Sequence, residues 1–174
     1  MDTDYIRSHI RTIPDFPEKG IQFKDITPLL LDAKANDLTL SDLAEPFKNL
    51  SVDKIVGLES RGFLFGPSLA RECQAGFIPA RKKGKLPYTT TQKEYGLEYG
   101  KDVLEMHIDA IKAGEKVIIH DDLLATGGTA KAATELVLEL GGQVIGYSFI
   151  IELGFLSGKN QLLDGIPLHS IIQY

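Results

Sequence analysis

Val117-Ile118-Ile119-His120-Asp121-Asp122-Leu123-Leu124-Ala125-Thr126-Gly127-Gly128-Thr129 is the stretch that decides how this chain of 174 residues folds. Its apolar start, from Lys116 to Ile119, is the pattern of a buried strand. The strand delivers two acids to its carboxyl end, where open α/β sheets bind ligands. The loop from Ala125 to Thr129 then offers successive backbone N–H groups, and its two glycines let a ligand come close. A helix predicted over about 129–140 aims its positive end at the same spot. Together these make an anion site, most naturally for a phosphate. Neither G-x-x-x-x-G-K-[ST] nor G-x-G-x-x-G occurs in the chain, so this is not one of the common nucleotide loops. Asp121 and Asp122 would repel a phosphate unless they serve something else. Ribose hydroxyls, or a magnesium ion held directly or through water, give them a purpose.

On either side the pattern alternates between strand and helix. The helix after the loop carries a stripe of Ala132, Ala133, Leu136, Val137 and Leu140, and Gly141-Gly142 stops it. Gln143 to Ile151 is almost wholly apolar, as a central parallel strand is. Upstream, Lys54 to Leu58 is a short buried strand running into Glu59-Ser60-Arg61-Gly62. A helix is predicted over about 65–74 and a strand over Phe77 to Ala80. Lys82 to Tyr99 is polar, with three consecutive threonines, and is predicted as a long loop, either a functional lid or disordered. Asp102 to Ile108 alternates, as a strand with one wet face does. Near the N-terminus a helix is predicted over 4–13, an edge strand over Ile21 to Ile26, and a helix over about 36–50 interrupted at Pro46. The order predicts an α/β fold with a doubly wound parallel sheet.

Composition narrows the partners. The length favours one domain spanning 1–174, large enough to bury a core without staples. The net charge of −5 argues against nonspecific nucleic-acid binding, which needs a basic face. The one cysteine, Cys73, forms no internal disulfide. Asp2 and Asp4 with no apolar run behind them are not a signal peptide. No stretch approaches the ~20 apolar residues of a membrane span, so the expected location is the cytoplasm.

The segment 117–129 resembles the phosphoribosyl-pyrophosphate signature of the type I phosphoribosyltransferases: apolar residues, two acids, then a loop rich in threonine and glycine. His120 departs from the pattern, which commonly has an apolar residue there, and is read as a satisfied structural histidine. Four more segments resemble the members of that family that act on adenine. They are Pro14-Asp15-Phe16-Pro17 with Gly20 to Ile26, Gly57 to Pro67, Arg81-Lys82-Lys83-Gly84-Lys85-Leu86-Pro87, and Leu97-Glu98-Tyr99-Gly100. They fall in the family's order and cover nearly the whole chain.

The resemblance implies a small N-terminal base-binding hood over about 1–35 and a mobile catalytic loop over about 82–99. It implies transfer of the 5-phosphoribosyl group from phosphoribosyl pyrophosphate to N9 of adenine, giving AMP and pyrophosphate, with Mg2+ as cofactor, in purine salvage. Asp121, Asp122, Ala125, Thr126, Gly127, Gly128 and Thr129 would bind the sugar phosphate. Glu59, Ser60, Arg61, Arg81, Lys82 and Lys85 would bind pyrophosphate, and four basic side chains suit its charge. Gln22, Phe23, Lys24 and Leu123 would bind adenine, with Phe23 and Leu123 on the faces of the ring and main-chain groups of 22–24 at its edge. Glu98, Tyr99 and Arg61 would be catalytic. The Glu59–Ser60 peptide would be cis and the protein a homodimer. Two other functions fit parts of the pattern. An oxopurine enzyme would use a lysine on the C-terminal segment, where only Lys159 stands; a regulator would bind the sugar phosphate without turnover, but regulators of this fold usually add a DNA-binding domain.

Overall fold

A computed structural model describes residues 2–97 and 100–174. The chain divides into two compact units, Met1–Asp42 and Leu43–Tyr174. In the first, α1 (Thr3–Ser8) starts at Asp2, whose side chain accepts from the Tyr5 amide. Two short strands follow, β1 (Arg11–Pro14) and β2 (Gln22–Asp25), then α2 (Thr27–Leu31) and α3 (Ala33–Ala44), which runs across the division. The helix predicted over 4–13 therefore ends five residues early. Thr12 and Ile13 are β-branched and pair with Lys24 and Phe23 in an antiparallel ribbon, and Pro14 could not continue a helix.

In the second unit a 3-10 turn over Glu45–Phe47 holds Pro46, so the predicted helix stops before that proline. Next come β3 (Lys54–Leu58), α4 (Gly62–Glu72), β4 (Gly76–Lys82), β5 (Thr90–Leu97), β6 (Gly100–His107), β7 (Lys116–Leu124), α5 (Gly128–Glu139) and β8 (Gln143–Glu152). Two 3-10 turns, Gly154–Leu156 and Gly158–Gln161, lead to β9 (Leu168–Gln173). The seven-stranded sheet runs β5-β6-β4-β3-β7-β8-β9. From β4 to β9 its pairings are parallel; the β4–β6 and β5–β6 pairings are antiparallel. Predictions for β3, β4, β6, β7 and β8 hold to within a few residues, except that β7 continues through both acids.

Three differences have physical causes. Thr90–Leu97 is a strand within the stretch predicted as loop, because its β-branched threonines and alternating pattern pair with 100–107. Helix α4 begins at Gly62 rather than near 65, its first turn closed by Phe63 N–H to the Ser60 carbonyl and Leu64 N–H to the Arg61 carbonyl. Strand β9 went unpredicted: Leu168 to Gln173 mixes His169 and Ser170 with apolar residues, and it gains its order by pairing with β8.

The chain leaves β3 toward β4 on one side, and leaves β7 toward β8 on the other. The carboxyl ends of β3 and β7 therefore flank the point where the direction reverses, which is where open α/β sheets hold ligands. Val56, Leu58, Val117 and Ile119 pack with Ala132, Ala133, Leu136 and Val137 of α5 in the main core.

Candidate active site

Strand β7 ends in the paired acids. Asp122 is nearly buried, with 3% of its side chain exposed, and its Oδ2 lies 3.0 Å from a guanidinium nitrogen of Arg61. Asp121 accepts the Asp122 amide at 2.8 Å. Burial pushes the Asp121 carboxyl well above the usual carboxylate range, and the Asp122 charge beside it adds to that. Burial also raises Asp122, opposed by Arg61. Both carboxyls are thus raised by burial, and the Arg61 guanidinium opposes that rise.

Beyond the acids, Ala125 to Thr129 closes over a small concavity of about 70 Å³, walled by Leu58, Asp121, Leu123 and Phe149 besides the loop itself. Gly127 has φ +84° and caps α5. That conformation favours glycine. A Cβ there would strike the Gly158 carbonyl and stand 3.0 Å from Gln161 Cβ. The sequence assigned this glycine to ligand approach and to a positive φ; the structure shows the positive φ and adds a close contact with the 3-10 turn over Gly158–Gln161. Lys159, the candidate for an oxopurine contact, is exposed on that same turn.

The predicted pyrophosphate residues gather at the carboxyl ends of β3 and β4. The Glu59–Ser60 peptide is cis, as the resemblance implies. Glu59 accepts from the Lys82 amide at 2.9 Å and pairs with Arg81 and Lys85. Burial resists its ionisation, but Lys85, that amide and Arg81 together hold its carboxyl below the usual value. Lys82 pairs with Asp102 at 2.8 Å. All four predicted cations thus face a carboxylate: Arg61 on Asp122, Arg81 and Lys85 on Glu59, Lys82 on Asp102. An incoming polyanion would exchange these partners rather than meet bare cations.

His120, on β7, is fully buried. Its Nδ1 lies 3.0 Å from the Ser148 carbonyl, so that nitrogen carries the proton. Burial lowers its pKa to about 4. It is buried and neutral, but the satisfied histidine read from the sequence is satisfied at Nδ1 only, since its buried Nε2 has no hydrogen-bond partner.

In the first unit, Gln22, Phe23 and Lys24 lie on β2. Phe23 meets Phe16 edge to face, centroids 5.0 Å apart, and Lys24 Nζ donates to Thr12 at 3.0 Å. In the second, Leu123 is half-buried at the end of β7. Glu98 and Tyr99 lie outside the described residues. Among the described residues no cluster of three or more His, Cys, Asp or Glu stands ready for a metal. Sequence reasoning missed Tyr95 and Asp102, opposite one another on β5 and β6. Their signal was weak: a tyrosine and an aspartate in a polar stretch, with no motif attached.

The phosphoribosyl transferase domain model matches residues 30–154. The adenine phosphoribosyltransferase of Clostridium botulinum is 53% identical over 169 residues, 97% of this chain and 98% of that protein. The crystal structure of adenine phosphoribosyltransferase from Rhodothermus marinus superposes with a TM-score of 0.95 at 52% identity, covering 99% of this chain and 98% of that one. The Saccharomyces cerevisiae enzyme, crystallised with an iminoalditol bisphosphate and adenine, gives 0.92 at 41% identity, covering 98% of each chain. With strand, paired acids, phosphate loop and these relatives in agreement, the chain belongs to the phosphoribosyltransferase family, among the adenine phosphoribosyltransferases.

Proposed function

We infer that this chain transfers the 5-phosphoribosyl group from phosphoribosyl pyrophosphate to N9 of adenine, releasing pyrophosphate and forming AMP. The observation that carries this is the placement of Asp121 and Asp122 directly before a phosphate loop at the sheet's switch point, with Arg61 on Asp122. The 5-phosphate sits on the amides of 125–129, where the start of α5 favours an anion. The two aspartates take the ribose hydroxyls. As the C1–pyrophosphate bond breaks, positive charge grows on the ribose, and the carboxylates lie on the side that stabilises it. N9 attacks the opposite face of C1, inverting it. The leaving group takes over Arg61, Arg81, Lys82 and Lys85 from their present carboxylates.

Two adjacent carboxylates, one already engaged by arginine, are too few to cage a metal but suit Mg2+, which keeps its waters and takes substrate oxygens. Asp121 and Asp122 would hold it, mainly through water, and it would offset charge on the diphosphate. Leu123, at the end of β7, offers the base an apolar face; Gln22, Phe23 and Lys24 are the residues of the N-terminal unit that the family resemblance assigns to adenine. Glu98 takes or steers the purine proton, and Tyr99 acts with it. The active protein is a homodimer in the cytoplasm. Incubation with adenine, phosphoribosyl pyrophosphate and magnesium, with products separated by chromatography, should give AMP and pyrophosphate in equal amounts. Pyrophosphate without AMP would mean hydrolysis, and no turnover with any base would mean a binding module.

A further inference from the structure

Beyond Arg81 the basic segment turns on Lys83 and Gly84. Gly84 has φ +78°, and a Cβ built on it would meet nothing within 4 Å. The tip of the turn therefore gains no order from packing, and a glycine there has much backbone freedom to lose. Hydrogen bonds supply the order instead. The Lys82 amide donates to the Glu59 carboxylate at 2.9 Å, the Lys83 amide to the Val103 carbonyl at 3.1 Å and the Lys85 amide to the Lys82 carbonyl at 3.3 Å. The Gly84 amide donates to Glu105 Oε2 at 3.0 Å. Arg81 closes the segment by donating to the Lys85 carbonyl at 3.0 Å. The amides from Lys82 to Lys85 are thus all engaged within the protein, and the segment meets an anion with its side chains. Glu105 lies on β6, opposite Arg81 of β4 and Gln92 of β5. Leu104 and Met106 on either side of it belong to the main core, so Glu105 points to the other face of the sheet. It is 6% exposed. A carboxylate buried to that degree costs free energy unless it is hydrogen-bonded. Glu59 and Asp102 hold cations of the site, whereas Glu105 holds the backbone of the turn that carries them.

We propose that Glu105 is a positioning residue for the leaving-group end of the site. By holding the Gly84 amide it fixes the turn from which Arg81, Lys82 and Lys85 meet the diphosphate of phosphoribosyl pyrophosphate. This rests on the function proposed above, which gives those cations to the diphosphate. Side chains on a loose turn still reach an anion, but the turn must then be ordered at the moment of binding, and that cost lowers affinity. A bond from an amide to a carboxylate is charge-assisted, and so is a strong hold for one side chain to supply. The 5-phosphate is bound by another part of the chain, the loop over 125–129. Loss of the Glu105 carboxylate therefore weakens the grip on the diphosphate and spares the grip on the sugar phosphate.

The test compares Glu105→Ala, which removes the acceptor, with Glu105→Gln, which keeps an oxygen for the Gly84 amide. Hydrogen exchange in the ligand-free protein should show Gly84 protection lost in Glu105→Ala and retained in Glu105→Gln. Calorimetric titration, with magnesium and no base, then uses two probes that differ only in the diphosphate: phosphoribosyl pyrophosphate and ribose 5-phosphate. In Glu105→Ala the affinity for phosphoribosyl pyrophosphate should fall about tenfold, while that for ribose 5-phosphate stays within about twofold. Glu105→Gln should keep both affinities. Equal weakening of both probes would mean a general loosening of the fold and overturns the proposal. Gly84 protection that survives in Glu105→Ala overturns it too, as does lost protection with unchanged affinity for phosphoribosyl pyrophosphate. If Glu105→Ala does not fold, Glu105→Asp decides, since it keeps the charge and draws it back by one carbon. It should lose the same protection and the same affinity, and an unchanged affinity overturns the proposal. The titrations need no turnover. A protein that binds phosphoribosyl pyrophosphate but makes no AMP loses the function proposed above and leaves this test standing. One that binds phosphoribosyl pyrophosphate no tighter than ribose 5-phosphate loses the placement of the diphosphate, and the role of Glu105 falls with it.

Discussion

At residue scale, two buried groups on β7 answer pH in opposite ways. The Asp121 and Asp122 carboxyls are raised, so the folded state holds their protons to higher pH than the unfolded chain does. His120 is lowered to about 4. An unfolded histidine gains a proton near 6.5, while the folded protein keeps this one neutral until about pH 4. The contribution of His120 is therefore fully present above about pH 6.5 and is lost as pH falls through that window. By pH 5 the loss should be about 2 kcal/mol. Urea unfolding of His120→Val at pH 7 and pH 5 should show a pH dependence weaker by that amount; an equal dependence in both proteins would mean that His120 ionises freely. The proton on the purine belongs to the same scale. Single-turnover measurements should give a strong fall in kcat for Glu98→Leu, a smaller one for Glu98→Gln and almost none for Glu94→Gln. Equal behaviour of the Glu98 and Glu94 variants would move the proton role to water or another residue.

At the scale of elements, the phosphate loop is held from behind. Gly127 abuts Gly158, and a Cβ on Gly158 would in turn strike the Ala125 carbonyl. Gly127→Ala forces a side chain into that contact and into a left-handed conformation costing roughly 1–2 kcal/mol. It should lower Tm by at least about 3 °C and weaken AMP binding by calorimetry; a folded variant with unchanged AMP affinity would mean the loop does not cradle the phosphate. This contact shows where sequence reasoning stops. Val117 to Thr129 could be read alone because strand, acids, loop and helix follow one another without a gap, and the short-range pattern carries the chemistry. The Gly127–Gly158 contact joins residues 31 positions apart with nothing in the pattern of either to link them. Strand β5 was hidden for another reason: Thr90 to Leu97 is polar enough to be a loop, and becomes a strand only where β6 offers a partner. The pairing of each site cation with its own acid was equally invisible. Lys82 and Asp102 are 20 positions apart with β5 between them, and Arg61 and Asp122 are 61 positions apart.

At the scale of the whole molecule, the sheet's reversal between β3 and β7 assembles residues from 59 to 129 at one edge, while β2 carries Gln22 to Lys24 in the N-terminal unit. Charge balance is a property of this assembly. Phosphoribosyl pyrophosphate must enter a site already holding Asp121, Asp122 and Glu59, so a dissolved cation has work to do there. Excess chelator should abolish turnover, with restoration by magnesium; full activity in chelator would remove the metal from the account. The central claim is that this site makes AMP and selects adenine through buried hydrogen-bond partners, which reject a base with donors and acceptors reversed. The most direct test is kcat/KM for adenine against hypoxanthine, with phosphoribosyl pyrophosphate and magnesium saturating and pyrophosphate release as the signal. The account expects adenine to be favoured by at least ~100-fold, about 2.7 kcal/mol. Comparable values for the two bases would contradict it and point to an oxopurine enzyme.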